Sequence, residues 1–314
     1  MRGLCVARAL VIGANGFIGS HLVDGLASAG HQVTAFDRFS SGSPTFGRDS
    51  ADVRVADFLN RGDLEDAVAG HDLVFHFLST TTPATAESDP TLDIRTNLVQ
   101  TVELLEACAA AGVGHFYFAS TGGAIYGPQG LDTYSEVDRA LPISPYAIGK
   151  LAIEQYLGYF AATRGLKSTV FRISNPYGPR QHPQRKQGLI PIALRQILRG
   201  EPIVQYGDGS MVRDYLYVED LIGMIVAVVG GQPRHHLYNL GSGIGYSVRE
   251  VFESLRRVTG VDFTPVVRPT PATFVDRVVL DTRRFAEDFG AVSLTSLDDG
   301  VRATLDDMRT EPID

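Results

Sequence analysis

The sequence predicts an α/β fold in which a doubly wound parallel sheet is joined by a smaller α/β domain at the C-terminal end. Short apolar runs alternate with apolar-periodic helices over the first 174 residues, and such alternation builds right-handed βαβ units. Glycines at positions 13, 16 and 19 follow the first apolar run at three-residue spacing. The second run ends in an acid, Asp37. Together these features predict a ligand site at the carboxyl ends of the strands.

Composition and charge are those of an ordinary globular protein. Hydrophobic residues make up 44% of the 314 and charged residues 20%, which suits one large or two intimate domains. The formal net charge of −8 argues against a nucleic-acid partner. No apolar stretch reaches membrane-spanning length, and two cysteines, Cys5 and Cys108, are too few for a disulfide framework or a cysteine-based metal cluster. We therefore expect a cytoplasmic protein with no metal site and no membrane partner.

Residues 9–26 are typical of a strand, a glycine-rich turn and a helix in a Rossmann-type nucleotide-binding domain. Gly13 permits the tight turn, Gly16 lets the backbone approach a pyrophosphate, and Gly19 lets the helix pack closely on the strand. The helix N-terminus then offers free N–H groups to phosphate. The spacing G-x-x-G-x-x-G is the version found in short-chain dehydrogenase/reductase proteins. The alternative is a tight turn with a purely structural role.

The second strand, expected at Gln32–Asp37, strengthens the nucleotide interpretation. Its terminal Asp37 stands eighteen residues after Gly19, where a ribose-binding carboxylate is expected. A carboxylate there binds the adenine ribose hydroxyls and repels a 2′-phosphate, which favours NAD. An arginine directly after this acid usually binds the 2′-phosphate of NADP, so Arg38 opposes that preference.

The remaining elements of the first half continue the alternation. One stripe of the long helix expected at 91–111 carries Ile94, Leu98, Val102 and Leu105. Hydroxyl side chains at 79–82 follow the fourth strand, where ligands of open sheets bind, although ordinary loop chemistry explains them equally well. Strands are expected at 53–57, 71–78, 115–119 and 167–173, and helices at 63–69, 91–111 and 145–163.

The regular alternation of strands and helices ends after residue 174. We expect a domain boundary there, with residues 1–174 binding NAD, residues 175–314 mainly binding substrate, and segments near 210–245 returning to the first domain. The expected elements are a turn at 175–179, a basic loop at 180–187, helices at 190–199, 247–258 and from 296, and strands at 203–206, 213–218, 236–240 and 264–268.

Tyr146 and Lys150 are the candidate catalytic pair. Ser144 is a good N-cap and Pro145 a good first helical residue, so the tyrosine and the lysine lie one turn apart on the same helix face. Deprotonating a tyrosine with a pKa of ~10 at pH 7 costs about 4 kcal/mol. An ammonium ~4 Å away stabilises the tyrosinate by about that much at an effective dielectric near 20.

The pair predicts removal of a proton from a carbinol while hydride passes to NAD. Lys150 can also hold the nicotinamide ribose, and a hydroxyl from Thr121 or Ser120 would share the site of proton transfer. The alternative is that Tyr146 and Lys150 are two ordinary surface residues on a helix.

Six motifs in order make the chain resemble the extended short-chain dehydrogenases that act on nucleotide sugars, most closely the UDP-hexose 4-epimerases of the UDP-galactose 4-epimerase type. The resemblance covers residues 13 to about 281. The motifs are Gly-Ala-Asn-Gly-Phe-Ile-Gly (13–19), Phe-His-Phe-Leu-Ser (75–79), Ser-Thr-Gly-Gly-Ala-Ile-Tyr-Gly (120–127), Ser-Pro-Tyr-Ala-Ile-Gly-Lys (144–150), Asn-Pro-Tyr-Gly-Pro-Arg-Gln (175–181) and Gly-Asp-Gly-Ser-Met-Val-Arg-Asp-Tyr (207–215).

The resemblance implies roles for further residues. Asp57 and Phe58 would flank the adenine. The other residues implied at the cofactor are Asn15, Phe17, Ile18, Phe77, Leu78, Ser79, Asn97 and Ile173. Residues implied at the nucleoside diphosphate are Asn175, Leu189, Tyr206, Arg213 and Arg268, with Asp276 a looser match, and Thr81, Thr121 and Gly122 are candidates near the sugar.

One departure from the family pattern falls at the catalytic hydroxyl. Counted back from Tyr126 without a gap, the family's serine or threonine position is Gly122. Thr121 is the nearest hydroxyl, reachable by a one-residue slip of a Gly-Gly turn, with Ser120 the second candidate. The related 4,6-dehydratases have an Asp-Glu pair after their threonine and the sugar-acid decarboxylases a glutamate. Gly122 and Gly123 cannot relay a proton, which favours 4-epimerisation over both.

The leading hypothesis is thus C4 epimerisation of a UDP-hexose through a 4-keto sugar, using tightly bound NAD. The alternatives are a nucleotide-sugar dehydratase or 4-ketoreductase and, from another class, a nucleotide-sensing protein without activity. The helices at 91–111 and 145–163 carry apolar residues beyond one stripe, and the family pairs these elements in a homodimer, so a homodimer is expected.

The loop at 180–187 bears on the identity of the sugar. It carries Arg180, Arg185 and Lys186 in an otherwise acidic chain. Arg185 would meet either the diphosphate or the C6 carboxylate of a uronic acid, and a solvated loop is the alternative. Neutral hexose, N-acetylhexosamine and uronic acid all remain open.

Overall fold

A computed structural model of the protein describes residues 6–40, 42–181, 187–271 and 273–310, which form two compact units. The first unit comprises the residues up to Thr121, Pro142–Arg172 and Ile222–Tyr238. The second comprises Gly122–Leu141, Ile173–Leu221 and the residues from Asn239 onward. The domain boundary expected after residue 174 stays a prediction.

The strands of the described chain are β1 Arg8–Ile12, β2 Gln32–Asp37, β3 Asp52–Val55, β4 Leu73–His76, β5 His115–Thr121, β6 Ser168–Ile173, β7 Asn175–Tyr177, β8 Val204–Tyr206, β9 Val212–Tyr217, β10 Leu237–Leu240, β11 Gly245–Ser247, β12 Val266–Arg268 and β13 Arg277–Val278. The helices are α1 Phe17–Ser28, α2 Arg61–Val68, α3 Pro83–Ser88, α4 Pro90–Asp93, α5 Gln100–Ala111, α6 Gly122–Ile125, α7 Pro145–Arg164, α8 Leu189–Arg199, α9 Val218–Gly230, α10 Val248–Thr259, α11 Arg283–Phe289 and α12 Leu297–Thr310. A π-helical turn, Ile94–Val99, joins α4 to α5.

A parallel seven-stranded sheet confirms the predicted Rossmann-type fold. Its strand order is β10-β6-β5-β4-β1-β2-β3, with β1 at the point where the order reverses. Residues 9–12 of β1 have no exposed surface, because helices cover both faces of a parallel sheet. Helices α2, α5 and α7 contribute to the same apolar core as the sheet.

The second unit has its own apolar core and two small sheets. Strand β9 pairs with β7, β11 and β13, and β8 pairs with β12. Helices α8, α10 and α12 supply much of the core, including Ile190, Phe252 and Val301. Ser247 and Glu250 form a capping box that opens α10, the helix expected at 247–258.

The predicted helix at 91–111 is wrong in detail, because the π-helical turn interrupts it. A π turn holds more residues than an α turn, so the apolar stripe shifts to a different face. Ile94 is 50% exposed, whereas Leu104 and Cys108 are fully buried. Helix α3, directly before this segment, was not predicted.

Three other segments differ from expectation. Asn175–Tyr177 forms strand β7 rather than a turn. Strand β5 extends to Thr121, and the Gly122–Gly123 pair opens the short helix α6 instead of a turn. Helix α9 was missed because its sequence is apolar on most sides and shows no clear helical period. In the described ranges, no helix is both long and apolar enough to cross a membrane.

Candidate active site

The glycine-rich turn between β1 and α1 forms a cradle that only glycine fits. Gly13 has φ +88°, and a Cβ there would lie 2.8 Å from the backbone of Leu78. A Cβ on Gly19 would overlap the Gly13 carbonyl oxygen. Both constraints follow from the close packing of α1 on β1, which is the arrangement that brings a helix N-terminus up to a pyrophosphate.

The N-terminus of α1 is open to an anion. Its N-cap is Gly16, no side chain among the described residues caps it, and the first turn, which begins with Phe17 and Ile18, contains no acid. The first N–H groups of the helix therefore retain their positive dipole. The Asn15 side-chain oxygen accepts from the Thr45 N–H and hydroxyl at 3.0 and 3.2 Å. The cradle thus fits a dinucleotide diphosphate.

Asp37 ends β2, as predicted, and its carboxylate faces this turn. It accepts the backbone N–H of Asn15 at 3.0 Å and that of Arg38 at 2.7 Å. A carboxylate has about four lone-pair positions, so it retains acceptor capacity for ribose hydroxyls. The Arg38 residue is exposed beside it.

The expectation that Phe58 flanks adenine stays a prediction, and the structure places the Phe58 side chain in the core. The ring is 2% exposed and stacks on His76 with centroids 5.1 Å apart, inside the core of the first unit. Only the Phe58 backbone remains for the cofactor. Asp57 is half-buried, and its carboxylate accepts the Leu59 N–H at 2.9 Å.

The segment after β4 lies against the glycine cradle. Phe77 donates its backbone N–H to Ile12 at 3.0 Å, and the Leu78 backbone fills the space beside Gly13. The Ser79 hydroxyl donates to the Thr81 carbonyl at 2.8 Å. Ile173 is buried at the end of β6.

Thr81, a candidate for the sugar site, is instead part of a buried network. Its hydroxyl donates to Asp93 at 2.5 Å and accepts from the Asn97 amide at 2.8 Å. The same amide nitrogen donates to Asp93 at 2.8 Å, and the amide oxygen accepts from the backbone N–H of Thr80. Thr81, Asp93 and Asn97 are 4, 3 and 8% exposed, so the Thr81 hydroxyl is committed to the protein.

Tyr146 and Lys150 lie in the first turns of α7, which the predicted Ser144 cap and Pro145 open. The Lys150 ammonium is 5.8 Å from the centre of the Tyr146 ring and 4.7 Å from that of Phe118. It donates to the Ala119 carbonyl at 2.8 Å, and the residue is 7% exposed. Lys150 is thus enclosed, whereas Tyr146 is half-buried and keeps some exposed surface.

Burial dominates the ionisation of both groups. It raises the pKa of Tyr146 to about 12, and the Asp93 carboxylate adds to this rise. Burial lowers the pKa of Lys150 to about 8, although Asp93 and Glu154 oppose that change. Lys150 is therefore still cationic at neutral pH, while Tyr146 keeps its proton until further positive charge or a bound substrate draws it away.

The two hydroxyl candidates at the end of β5 differ in their partners. The Ser120 hydroxyl donates to Glu154 at 2.5 Å, and Glu154 forms a buried ion pair with Arg172 at 2.7 Å. The Thr121 hydroxyl makes no hydrogen bond to any described residue, and Thr121 is half-buried. The Thr121 hydroxyl is therefore the one available to a ligand.

In the second unit, Asn175 and Gly123 lie together. The Asn175 amide donates to the Asp214 carbonyl at 3.0 Å. A Cβ on Gly123 would lie 3.4 Å from the same amide. Gly122 is buried at the first position of α6.

The other candidate nucleotide residues occupy strand ends of this unit. Tyr206 and Arg268 are paired across β8 and β12, and the Tyr206 ring contacts Phe274 with centroids 5.7 Å apart. Arg213 is half-buried on β9, where burial lowers its pKa and Tyr215 and the exposed Asp276 oppose the change. Leu189 begins α8. Arg185 lies outside the described residues.

Sequence reasoning missed three buried carboxylates. Asp93 joins Thr81 and Asn97, Glu154 joins Ser120 and Arg172, and the fully buried Asp214 accepts from Ser242 and from the backbone N–H groups of 243 and 280. Two of them offered a signal in their spacing: Asp93 is four residues before Asn97, and Glu154 is four residues after Lys150. Across the described ranges, no group of three or more His, Cys, Asp or Glu residues is arranged to hold a metal ion.

Comparison with known proteins agrees with this geometry. The family described as "NAD dependent epimerase/dehydratase family" matches residues 9–241. A UDP-glucose 4-epimerase of Mycolicibacterium smegmatis is 33% identical in an alignment of 311 positions that covers 97% of this chain and 99% of that protein.

Two further relatives show the range of activities. The crystal structure of a UDP-glucose 4-epimerase of Thermotoga maritima with UDP-glucose has a TM-score of 0.90 and 36% identity, covering 96% of this chain and 98% of the other. A dTDP-glucose 4,6-dehydratase of Actinoplanes sp. is 31% identical over 95% of this chain and 96% of its own length. The match over residues 9–241, together with the glycine cradle and the Tyr146–Lys150 pair, shows that the chain belongs to the NAD dependent epimerase/dehydratase family.

Proposed function

We propose that the protein is an NAD-dependent 4-epimerase of a UDP-hexose. The observation that carries this proposal is the Tyr146–Lys150 pair, in the same unit as a cradle that fits a dinucleotide. The buried Lys150 ammonium lies 5.8 Å from the ring of the half-buried tyrosine. The residues that would hold the cofactor are those of the glycine turn and Asp37. The epimerase relatives, which match the chain over nearly its whole length, support the same assignment.

Each residue of the pair has a distinct task. When bound, NAD supplies a reversible hydride acceptor at C4 of the sugar. Tyr146 takes the proton of the C4 hydroxyl and later returns it to the oxygen of the 4-keto sugar. The Lys150 ammonium holds the nicotinamide ribose and makes the tyrosinate less costly. The Thr121 hydroxyl hydrogen-bonds to the same sugar oxygen.

The glycine pair favours epimerisation over dehydration. Elimination of water needs a further acid and base near C5 and C6, and neither Gly122 nor Gly123 can carry a proton. Small residues such as these two glycines are also compatible with a 4-keto ring that must turn over. A dehydratase or 4-ketoreductase remains the second candidate, because a dehydratase is among the near relatives.

Residues of the second unit would bind the nucleoside diphosphate. Arg268 is exposed beside Tyr206, and Arg213 remains a cation despite its burial, so both can meet phosphate oxygens. Leu189, Asn175 and Asp276 complete the proposed set. Arg185 stays a candidate for the diphosphate or for a C6 carboxylate.

A panel of nucleotide sugars tests the proposal. Purified protein with UDP-glucose, UDP-N-acetylglucosamine or UDP-glucuronate should interconvert C4 epimers of at least one, without added cofactor. No epimer from any member of a panel that includes dTDP-sugars would contradict it. A product lighter by one water would instead identify a dehydratase, and net consumption of NADH a ketoreductase.

The sugar itself can be assigned with Arg185→Ala. A contact with a uronate would raise the KM for UDP-glucuronate roughly tenfold or more relative to that for UDP-glucose, because a charged hydrogen bond contributes ~1.5–3 kcal/mol. Equal effects on both substrates would place Arg185 at the diphosphate. No effect on either would mean that the loop is solvated.

We also propose that the protein is a cytoplasmic homodimer. Apolar side chains on the π-helical turn and on α7 support an interface: Ile94 is 50% exposed, Ile148 53% and Tyr159 54%. Light scattering at micromolar concentration should give twice the chain mass. A monomer would contradict the dimer.

A further inference from the structure

Asp93 is a buried carboxylate that the proposed reaction does not yet use. It is the last residue of α4, directly before the π-helical turn, and it is 3% exposed. Such turns occur frequently at functional sites, where they redirect side chains. Here the turn follows an acid that is not solvated by water, so its charge must be compensated within the protein.

The hydrogen bonds to Asp93 come from neutral groups. Its Oδ1 accepts the Thr81 hydroxyl at 2.5 Å and the Asn97 amide at 2.8 Å. In the part of the chain that the structure describes, no arginine, lysine or histidine forms an ion pair with it. Neutral donors orient a carboxylate but do not cancel its charge, so the field of Asp93 acts on neighbouring ionisable groups.

The second oxygen of Asp93 is placed against the catalytic helix. A Cβ on Gly149 would overlap Oδ2, so the carboxylate occupies the space that the missing side chain leaves. Gly149 is the residue before Lys150 and the third after Tyr146. The carboxylate therefore touches α7 between the two catalytic candidates, and its charge acts on both.

The other groups around Lys150 do not replace this charge. The Ala119 carbonyl and the Phe118 ring, both on β5, are uncharged. His76 on β4 is neutral, because burial and the charge of Lys150 lower its pKa to about 3. On α7 itself, Tyr146 is protonated.

Glu154 is the second acid near Lys150. It is bound to Arg172 of β6 through two hydrogen bonds of 2.7 and 3.2 Å, so much of its charge is already offset. Asp93 is thus the carboxylate near Lys150 that has no cation of its own.

We propose that Asp93 is a positioning residue: its carboxylate, held against Gly149, keeps Lys150 in the ammonium form that the proposed reaction needs beside Tyr146. This inference rests on the proposed role of Lys150. Asp93 opposes the effect of burial on the lysine, and by the same charge it holds the proton on Tyr146. The acid therefore keeps the pair in its resting state, an ammonium beside a neutral phenol, across neutral pH.

The chain allows a direct test, because its lysines are only Lys150, Lys167 and Lys186. In the purified protein labelled with ¹³C-lysine, the Cε signal of Lys150, assigned with Lys150→Arg, reports its ionisation. Asp93→Asn keeps an oxygen for Thr81 and Asn97 while removing the charge. The midpoint of the Lys150 titration should fall by roughly 1–3 pH units, since that is the usual effect of one nearby charge.

Matched controls separate charge from structure. Glu87→Gln removes an exposed acid from α3 and should leave the midpoint unchanged. The Lys167 signal should not move in any variant. Gly149→Ala retains the carboxylate but displaces it, so it should lower the midpoint by a smaller amount; this variant decides the matter if Asp93→Asn does not fold.

An unchanged Lys150 midpoint in the folded variants, even with a lower Tm, would overturn the proposal and leave Asp93 a structural residue. In Asp93→Asn, the alkaline limb of the pH profile of kcat should move to lower pH together with the Lys150 midpoint. The titration needs no turnover. A wild-type protein that converts no nucleotide sugar would contradict the proposed function without deciding the role of Asp93.

Discussion

The catalytic candidates of the first unit and the nucleotide candidates of the second are held in different ways. Around Tyr146 the polar groups are enclosed and bonded to one another, with Asp93 3% and Lys150 7% exposed. In the second unit, Tyr206 is 39% exposed and Arg268 is exposed on a short strand. Proton transfer depends on precise geometry, whereas a flexible diphosphate can be met by adaptable side chains. Changes in the first region should therefore lower kcat, and changes in the second should raise KM.

The largest expected effect is that of Tyr146→Phe. Removing the phenol hydroxyl eliminates the general base, so kcat should fall by about 10²- to 10⁴-fold. NAD content, measured after denaturation of the purified variant, should equal that of the wild type because the glycine cradle is intact. Activity within a few-fold of wild type would contradict the assignment and favour a protein that senses nucleotides.

Breaking the buried ion pair behind α7 should have the next largest effect. Glu154→Gln leaves the Arg172 cation without a full counter-charge and should lower the free energy of unfolding by about 3–5 kcal/mol. Glu65→Gln breaks an exposed pair with Arg61, 2.8 Å long, and should leave the free energy of unfolding nearly unchanged because solvent screens the pair. Chemical denaturation measures both. Similar costs for the two variants would mean that burial of the pair makes no difference.

Substitutions of the two hydroxyl residues at the end of β5 should have different effects, one on kcat and the other on stability. Thr121→Val should lower kcat roughly 10- to 100-fold, because the lost hydrogen bond is to an oxygen that gains charge. Ser120→Ala should mainly reduce stability, by about 1–3 kcal/mol, since it deprives Glu154 of a donor. If the kinetic loss is larger in Ser120→Ala, the two assignments must be exchanged.

The smallest effect is expected at the exposed arginine of β12. Arg268→Ala should raise the KM for the nucleotide sugar roughly twofold to tenfold and leave kcat nearly unchanged, because exposed charge contacts are weak. Arg302→Ala, on the exposed face of α12, is the matched control and should change neither. A fall in kcat without a change in KM would break the contrast between the two regions.

The sequence predicts those parts of the site in which each residue type has one steric or electrostatic reason. Gly13 adopts a φ of +88°, a backbone conformation that favours glycine. Asp37 ends a strand whose bounds were predicted, and Ser144 caps α7 as expected. These features depend on local geometry, and local geometry can be derived from residue type and spacing.

The features that the sequence did not reveal depend on tertiary contacts. A π-helical turn has no distinctive composition, so the period of 3.6 residues placed Ile94 in the core. Pro176 made the segment 175–177 look like a turn, although it forms a short strand beside β9. Asp93, on an amphipathic segment, looks like a solvent-facing acid until the Gly149 contact is known.

The most direct test of the central claim follows the sugar carbon in D₂O, using the nucleotide sugar that the protein converts fastest. Epimerisation through a 4-keto sugar returns the C4 hydrogen from the cofactor, so the C4 epimer should form with unchanged mass and no carbon-bound deuterium. Mass spectrometry and proton NMR of the product measure this. A product lighter by one water, a product carrying solvent deuterium on carbon, or no product from any nucleotide sugar would contradict 4-epimerisation.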